Sequence, residues 1–142
     1  MINSIIESIS VSLKAEFGDE CKIYREAKRQ DLEEPCFFIQ CLNLAESLYL
    51  GKRYFRQNQF CIQYFPKDEY HMNQECCEVA ERLFVCLEYL NVGDNLVRGT
   101  KMKYELVDGI LQFFVNYDLF VYKTVESVPA MEEVLKETSV KG

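Results

Sequence analysis

The side chains in this sequence that could do chemistry are a single histidine and seven cysteines. His71 stands shortly before the adjacent pair Cys76 and Cys77. A thiol activated by a nearby imidazole is the simplest nucleophile such a set could build. The spacing argues against it. His71 falls where a loop enters a helix, a place where a lone histidine is ordinarily surface. Cys76 and Cys77, adjacent on that helix, diverge by about 100°. Cys86 falls near the apolar stripe and Cys77 on its flank, so these thiols do not converge. Cys36 and Cys41 are an odd number of positions apart and point to opposite faces of a strand. No C-x-x-C pair offers itself to zinc. The run "GDNLVRG" (93–99) has glycines, but it follows a helix and enters a strand, the wrong setting for a phosphate loop. The carboxylates are spread over helix faces and loops rather than paired. No catalytic residue, metal ligand or cofactor is expected, and the chain is read as a protein that is not an enzyme.

The totals narrow the class further. A length of 142 residues fits one domain with a sizeable core, and the composition, 49% apolar and 27% charged, is that of an ordinary globular protein. The net charge of −7 disfavours non-specific attachment to nucleic acid or to an acidic membrane surface. The cysteines are odd in number, and the chain opens on an amphipathic helix rather than a signal peptide. That helix is too short and too polar to span a bilayer. Reduced, cytosolic thiols acting as small buried hydrophobes are therefore expected.

The elements that would position these residues follow from periodicity. Ile2, Ile5, Ile6, Ile9 and Leu13 form one helical stripe, with Gly18 as a stop. "CKIYRE" is read as a short strand and "KRQDLEE" as a charged loop. A strand is expected from Cys36 to Leu44, a turn at Gly51, and a strand over "RYFRQNQFCIQYF" that Pro66 ends. Phe60, Ile62 and Tyr64 share one face of it. Asn73 is the expected N-cap of a second helix whose stripe runs Cys76, Val79, Ala80, Leu83, Cys86, Leu87 and Leu90. Gly93-Asp94 then turns the chain into a long hairpin closed by a type I′ turn at Asp108-Gly109. Its second arm, Ile110 to Tyr122, would span roughly 43 Å at ~3.3 Å per residue. A compact chain of this length is itself only roughly 37 Å across. The fold class is α+β: an antiparallel or mixed sheet with a long C-terminal β-hairpin and two main α-helices packed on one face. Residues 1–123 are read as the domain and 124–142 as a tail, either a short helix or disordered.

Two features point to a partner. Phe114, Phe120 and Tyr122 stand opposite the core-facing set of the last arm; either the C-terminal segment covers them or the row of aromatics marks an interface. Lys52, Arg53 and Arg56 gather near a turn in an otherwise acidic chain, either as a solvated loop or, in a self-assembling protein, paired with a neighbour's carboxylates. With Arg98 these seven residues are the candidate interface. A small cytosolic adaptor or ligand-binding domain using the same sheet is the alternative reading.

The blocks "MINSIIESI", "EPCFFIQ", "GKRYFRQNQFCIQYFP", "NQECCEVAERLF" and "LVRGTKMKYELVDGILQFFVNYDLFVYK" come in an order that resembles the phage tail terminator proteins, from residue 1 to about residue 123. The resemblance implies an α+β fold and a homo-oligomeric ring, commonly a hexamer, on the head-proximal end of the tail tube. It implies that the ring stops tube growth and docks the head-completion, or connector, protein. The implied partners are the tail tube protein, that connector and, in sheathed tails, the sheath protein. No membrane and no specific nucleic acid is implied, although DNA passes through the ring. The implied location is the head–tail junction of the virion, after assembly in the bacterial host cytoplasm. A negative conduit suits DNA that must slide without sticking.

Overall fold

The computed structural model describes residues 2–25, 33–68 and 70–123. Helix α1 spans Ile2–Phe17, and its stripe residues Ile5, Ile9 and Leu13 are fully buried. The chain then turns at Gly18, whose φ of +77° suits glycine. Strand β1, Lys22–Tyr24, runs parallel to the start of β2, Cys36–Leu50. Gly51 turns β2 back into β3, Arg53–Phe65. Helix α2 spans Met72–Cys86. Strands β4 (Tyr89–Val92), β5 (Asn95–Val107), β6 (Ile110–Tyr117) and β7 (Leu119–Tyr122) follow.

The strands form one mixed sheet in the order β1-β2-β3-β6-β5-β4, with β7 alongside β3. Register shows how alternation builds the core. Phe37, Tyr64 and Leu111 lie side by side across β2, β3 and β6, as do Ile39, Ile62 and Phe113. These side chains meet Ile5, Ile9 and Leu13 of α1 and Cys76, Val79, Ala80 and Leu83 of α2 in one buried cluster. The helices thus cover one face of the sheet, and the α+β class read from the sequence is the observed one.

Several boundaries differ from the sequence reading. Strand β2 does not stop at Leu44; it continues to Leu50 because Ala45, Glu46 and Ser47 are held in the ladder by Gln57, Arg56 and Phe55. Tertiary pairing overrides their weak strand preference. Helix α2 begins at Met72, with His71 rather than Asn73 at the N-cap position. The Asp68 carboxylate instead accepts the backbone N–H groups of Tyr70 and His71. At the other end the helix stops at Cys86, and Leu90 pairs with Val97 in the β4–β5 hairpin.

The long second arm is interrupted at Asp118 without losing register, since Gln59 faces Asn116 before the break and Arg56 faces Leu119 after it. At the break the buried Asn58 amide donates to the Tyr117 carbonyl at 2.8 Å. The Asp118 carboxylate accepts the Asn58 backbone N–H at 3.3 Å. Beyond this joint the two arms part. Strand β5 bends away at a register shift between Thr100 and Lys103 to meet β4, whereas β7 follows β3. Gly99 sits at the bend. A Cβ there would lie 2.8 Å from the Leu87 carbonyl oxygen and 2.9 Å from a Val115 methyl, so only glycine lets the strand approach this closely. The longest hairpin is therefore β2–β3, not the one closed by Asp108-Gly109. That turn does have the positive φ values its type requires, 53° and 77°. The loop "KRQDLEE" falls mostly outside the described residues, and the tail 124–142 wholly so.

Candidate assembly surface

The far half of the β2–β3 hairpin extends beyond the helices. Every residue from Leu42 to Leu50 is exposed, and no residue from 42 to 57 belongs to the buried core. With β7 it makes a three-stranded ribbon. Alternation gives the ribbon two faces: one continues the core face, and the other faces away from the helices.

The outer face carries a cation set in aromatics. Arg53 and Tyr122 are cross-strand partners, as are Phe55 and Phe120. The Arg53 guanidinium lies 4.4 Å over the Phe120 ring, 5.7 Å from Tyr49 and 5.9 Å from Tyr122. Phe120 also meets Tyr49 at 5.0 Å and Phe55 at 5.1 Å between ring centroids. Arg53 Nε is buried without an acceptor, and no ion pair involves Arg53 among the described residues. A guanidinium stacked on rings, with donors unspent, is preorganised to receive a carboxylate or a carbonyl. On the other face the Lys123 ammonium bonds Glu46 and stands 4.5 Å over the Tyr54 ring.

Of the residues singled out in the sequence, Arg53, Phe120 and Tyr122 come together. Lys52 sits beside them in the turn, where its carbonyl accepts the Lys123 N–H at 3.0 Å. Arg56 does not join them. It lies three positions from Arg53 on a strand and faces the other way, across from Glu46 and Leu119. The basic run is thus split between two faces. Phe114 shares the outer face with Phe120 but pairs with Cys61, further along the sheet, where the Lys103 ammonium covers it at 5.4 Å. Arg98 lies in the β4–β5 hairpin, 3.7 Å from Glu88. Tyr49, Phe55, Leu44 and Leu48 were not singled out in the sequence: Tyr49 and Leu48 lie beyond the strand expected to end at Leu44, while Leu44 and Phe55 lie within expected strands but show no partner until the register is known.

The thiols and the histidine make no catalytic arrangement. His71 Nδ1 lies 2.9 Å from the Asp68 carboxylate, while Cys76 Sγ turns to the Gly109 carbonyl at 3.9 Å. Burial pushes the Cys76 thiol up to about 11. All seven cysteines are free. A cavity of about 630 Å³ opens between Phe17, Cys21, Tyr64, Asp68, Glu75 and Arg82. Its polar groups are largely engaged. Tyr64 donates to Glu75 at 2.5 Å, Glu75 accepts the Lys67 and Asp68 N–H groups, and Arg82 holds Glu16 at 2.8 Å. Burial, then the bond to Glu75, raises the Tyr64 hydroxyl well above its ordinary value. Among the described residues no group of three or more His, Cys, Asp or Glu side chains is placed to hold a metal, and no helix is long and apolar enough to cross a membrane.

The arrangement is that of a small α+β protein whose most developed feature is an uncovered sheet ribbon. The family model described as phage tail terminator protein matches residues 4–129, and the chain belongs to that family. The match begins and ends a few residues later than the resemblance read from the sequence. No curated protein matches the chain. Family membership sets the chain in a phage and gives it a structural, tail-associated role.

Proposed function

We propose that this chain terminates the tail of its phage. Copies close into a ring, hexameric on the tube, at the head-proximal end of the tail tube. The ring blocks addition of further tube protein and presents a surface to the head-completion protein and, where a sheath exists, to the sheath. Residues 1–123 act as the domain, with 124–142 as an appendage. The chain works at the head–tail junction of the virion after assembling in the host cytoplasm, without a cofactor.

The observation that carries this reading is the ribbon, joined to family membership. A monomer gains little from an apolar extension held outside its own core, whereas a ring needs surface that one copy leaves open. The net charge of −7 suits a ring through which DNA slides. Tail length tests the reading. Phage lacking this chain should give over-long tubes without heads, and supplying the chain in trans should restore uniform tails. His71→Ala should restore them as well as the wild type, because His71 touches only its own loop. Arg53→Glu together with Arg56→Glu should restore them poorly. Loss of function in His71→Ala alongside silent arginine reversals would return the adaptor or ligand-binding reading.

A further inference from the structure

We propose that successive copies join by strand addition, the open edge of β2 in one copy pairing with the open edge of β7 in the next. The occupant of each edge is a second copy of this chain, and the inference rests on the ring reading above.

Both edges are visible in the topology. β1 covers β2 only at Cys36, Phe37 and Phe38. From Ile39 to Leu50 the outer edge of β2 meets no strand among the described residues, a length of about 40 Å at ~3.3 Å per residue. β7 pairs with β3 on one side and, among the described residues, with no strand on the other, because β5 has bent away. Long open edges invite pairing, and proteins that remain monomeric blunt them with lysine, proline or a covering element. Residues 39–50 contain no proline, lysine or arginine, and Glu46 is their one charge.

The two edges lie on opposite sides of the same ribbon, so a contact between them is head-to-tail. Such contacts repeat from copy to copy and make a ring where the rotation between copies closes, whereas β2 pairing with β2 would stop at two copies. The side chains agree. Leu42, Leu44, Leu48, Tyr49 and Leu50 on β2 and Phe120 and Tyr122 on β7 are between 40% and 73% exposed. A head-to-tail contact joins the β2 set of one copy to the β7 set of the next, and together these leave on the order of 900 Å² in water, against the ~1,200–2,000 Å² total of a standard interface; the backbone pairing and the rest of the two edges make up the difference. Phe120 and Tyr122, with Arg53 over them, lie on the short β7 strand itself, and arginine and tyrosine are among the side chains that most often dominate binding energy.

The test uses two edge variants of the full chain. One carries Leu44→Lys and Leu48→Lys on β2. The other carries Phe120→Lys and Tyr122→Lys on β7, with Tyr122→Lys alone as a substitute if the pair lowers the melting temperature. Each is crosslinked with formaldehyde, both as concentrated protein and on tails from producing cells, and tail length is measured in the same preparations. Wild type should give a ladder ending at the ring. Each variant alone should give monomer only. The two variants mixed should give a band at two copies and nothing larger, because each retains the edge the other lacks. A wild-type sample with no ladder in either setting overturns the proposal. So does a dimer that survives in the β7 variant alone, which would mean β2 pairs with β2. A chain ending at Lys123 that oligomerises more strongly than the full chain also overturns it, making residues 124–142 the edge's occupant. If edge variants lose the ladder yet give tails of normal length, strand addition fails while termination stands. If wild type itself does not restore length, termination is what fails.

Discussion

Replacing Phe120 by alanine should loosen the ribbon while leaving the core intact. Phe120 is 40% exposed. Taking roughly 200 Å² for its side chain, about 120 Å² is buried, worth ~3 kcal/mol at ~25 cal/mol per Å². Alanine keeps part of that area, and an extended reference chain overstates it, so ~2 kcal/mol is the reasonable transfer contribution. The Arg53 guanidinium at 4.4 Å adds ~0.5–1 kcal/mol for a site of this exposure. The contacts with Tyr49 and Phe55 bring the loss to about 3 kcal/mol. None of this energy is shared with the helices, because no residue from 42 to 57 lies in the buried core. The loss should therefore be local. Hydrogen exchange read by mass spectrometry is the assay. Amides in residues 44–57 and 119–122 should exchange roughly 100-fold faster, since 1.4 kcal/mol is a factor of ten. Amides of Phe60–Tyr64 and Leu111–Val115 should stay within about a factor of two, because that core opens only globally. Equal acceleration in both sets would show that ribbon and core unfold as one unit. No acceleration in either would show that the aromatic cluster holds nothing.

Three further outcomes follow from the same geometry. Tyr117→Phe removes the buried hydroxyl that donates to the Leu87 carbonyl at 2.6 Å, leaves that acceptor alone, and should lower stability by ~1–3 kcal/mol in a denaturant titration. Gly99→Ala forces a methyl against the Leu87 carbonyl and Val115, and thermal melting should show a comparable loss of ~1–3 kcal/mol. Stability should also fall on the alkaline side. Burial pushes the thiols of Cys36, Cys61 and Cys76 up to about 11 and that of Cys86 to about 12, from an ordinary 9.0. Groups raised on folding contribute fully below the unfolded value and lose that contribution as pH rises through 9 toward 11 and 12. The urea midpoint should therefore be lower at pH 10 than at pH 8. A midpoint that is flat or rising would contradict it.

Much of this fold is legible because alternation and helical stripes are local. The face assignment of Leu111, Phe113, Val115 and Tyr117 needs only period two, and all four are buried. Gly51 and Asp108-Gly109 announce their turns through backbone conformations that few residues adopt. What escapes the sequence depends on partners far along the chain. Ala45, Glu46 and Ser47 read as the end of a strand until β3 is beside them. The break at Asp118 is set by Asn58, some sixty positions away, and by β5 turning aside at Gly99. The candidate surface divides the same way. Arg53, Phe120 and Tyr122 were visible as residue types, but only the register shows that they meet and that Arg56 does not.

The most direct measurement is the position of the chain on finished tails. A chain carrying a small C-terminal tag, complementing its own deletion, is labelled with gold and imaged on purified tails and virions. Label should appear at one end of each tail, the head-proximal end, and at the neck of intact virions, with tubes of uniform length. Label distributed along the tube, at the distal tip, or absent from particles whose tails have normal length would contradict termination by this chain.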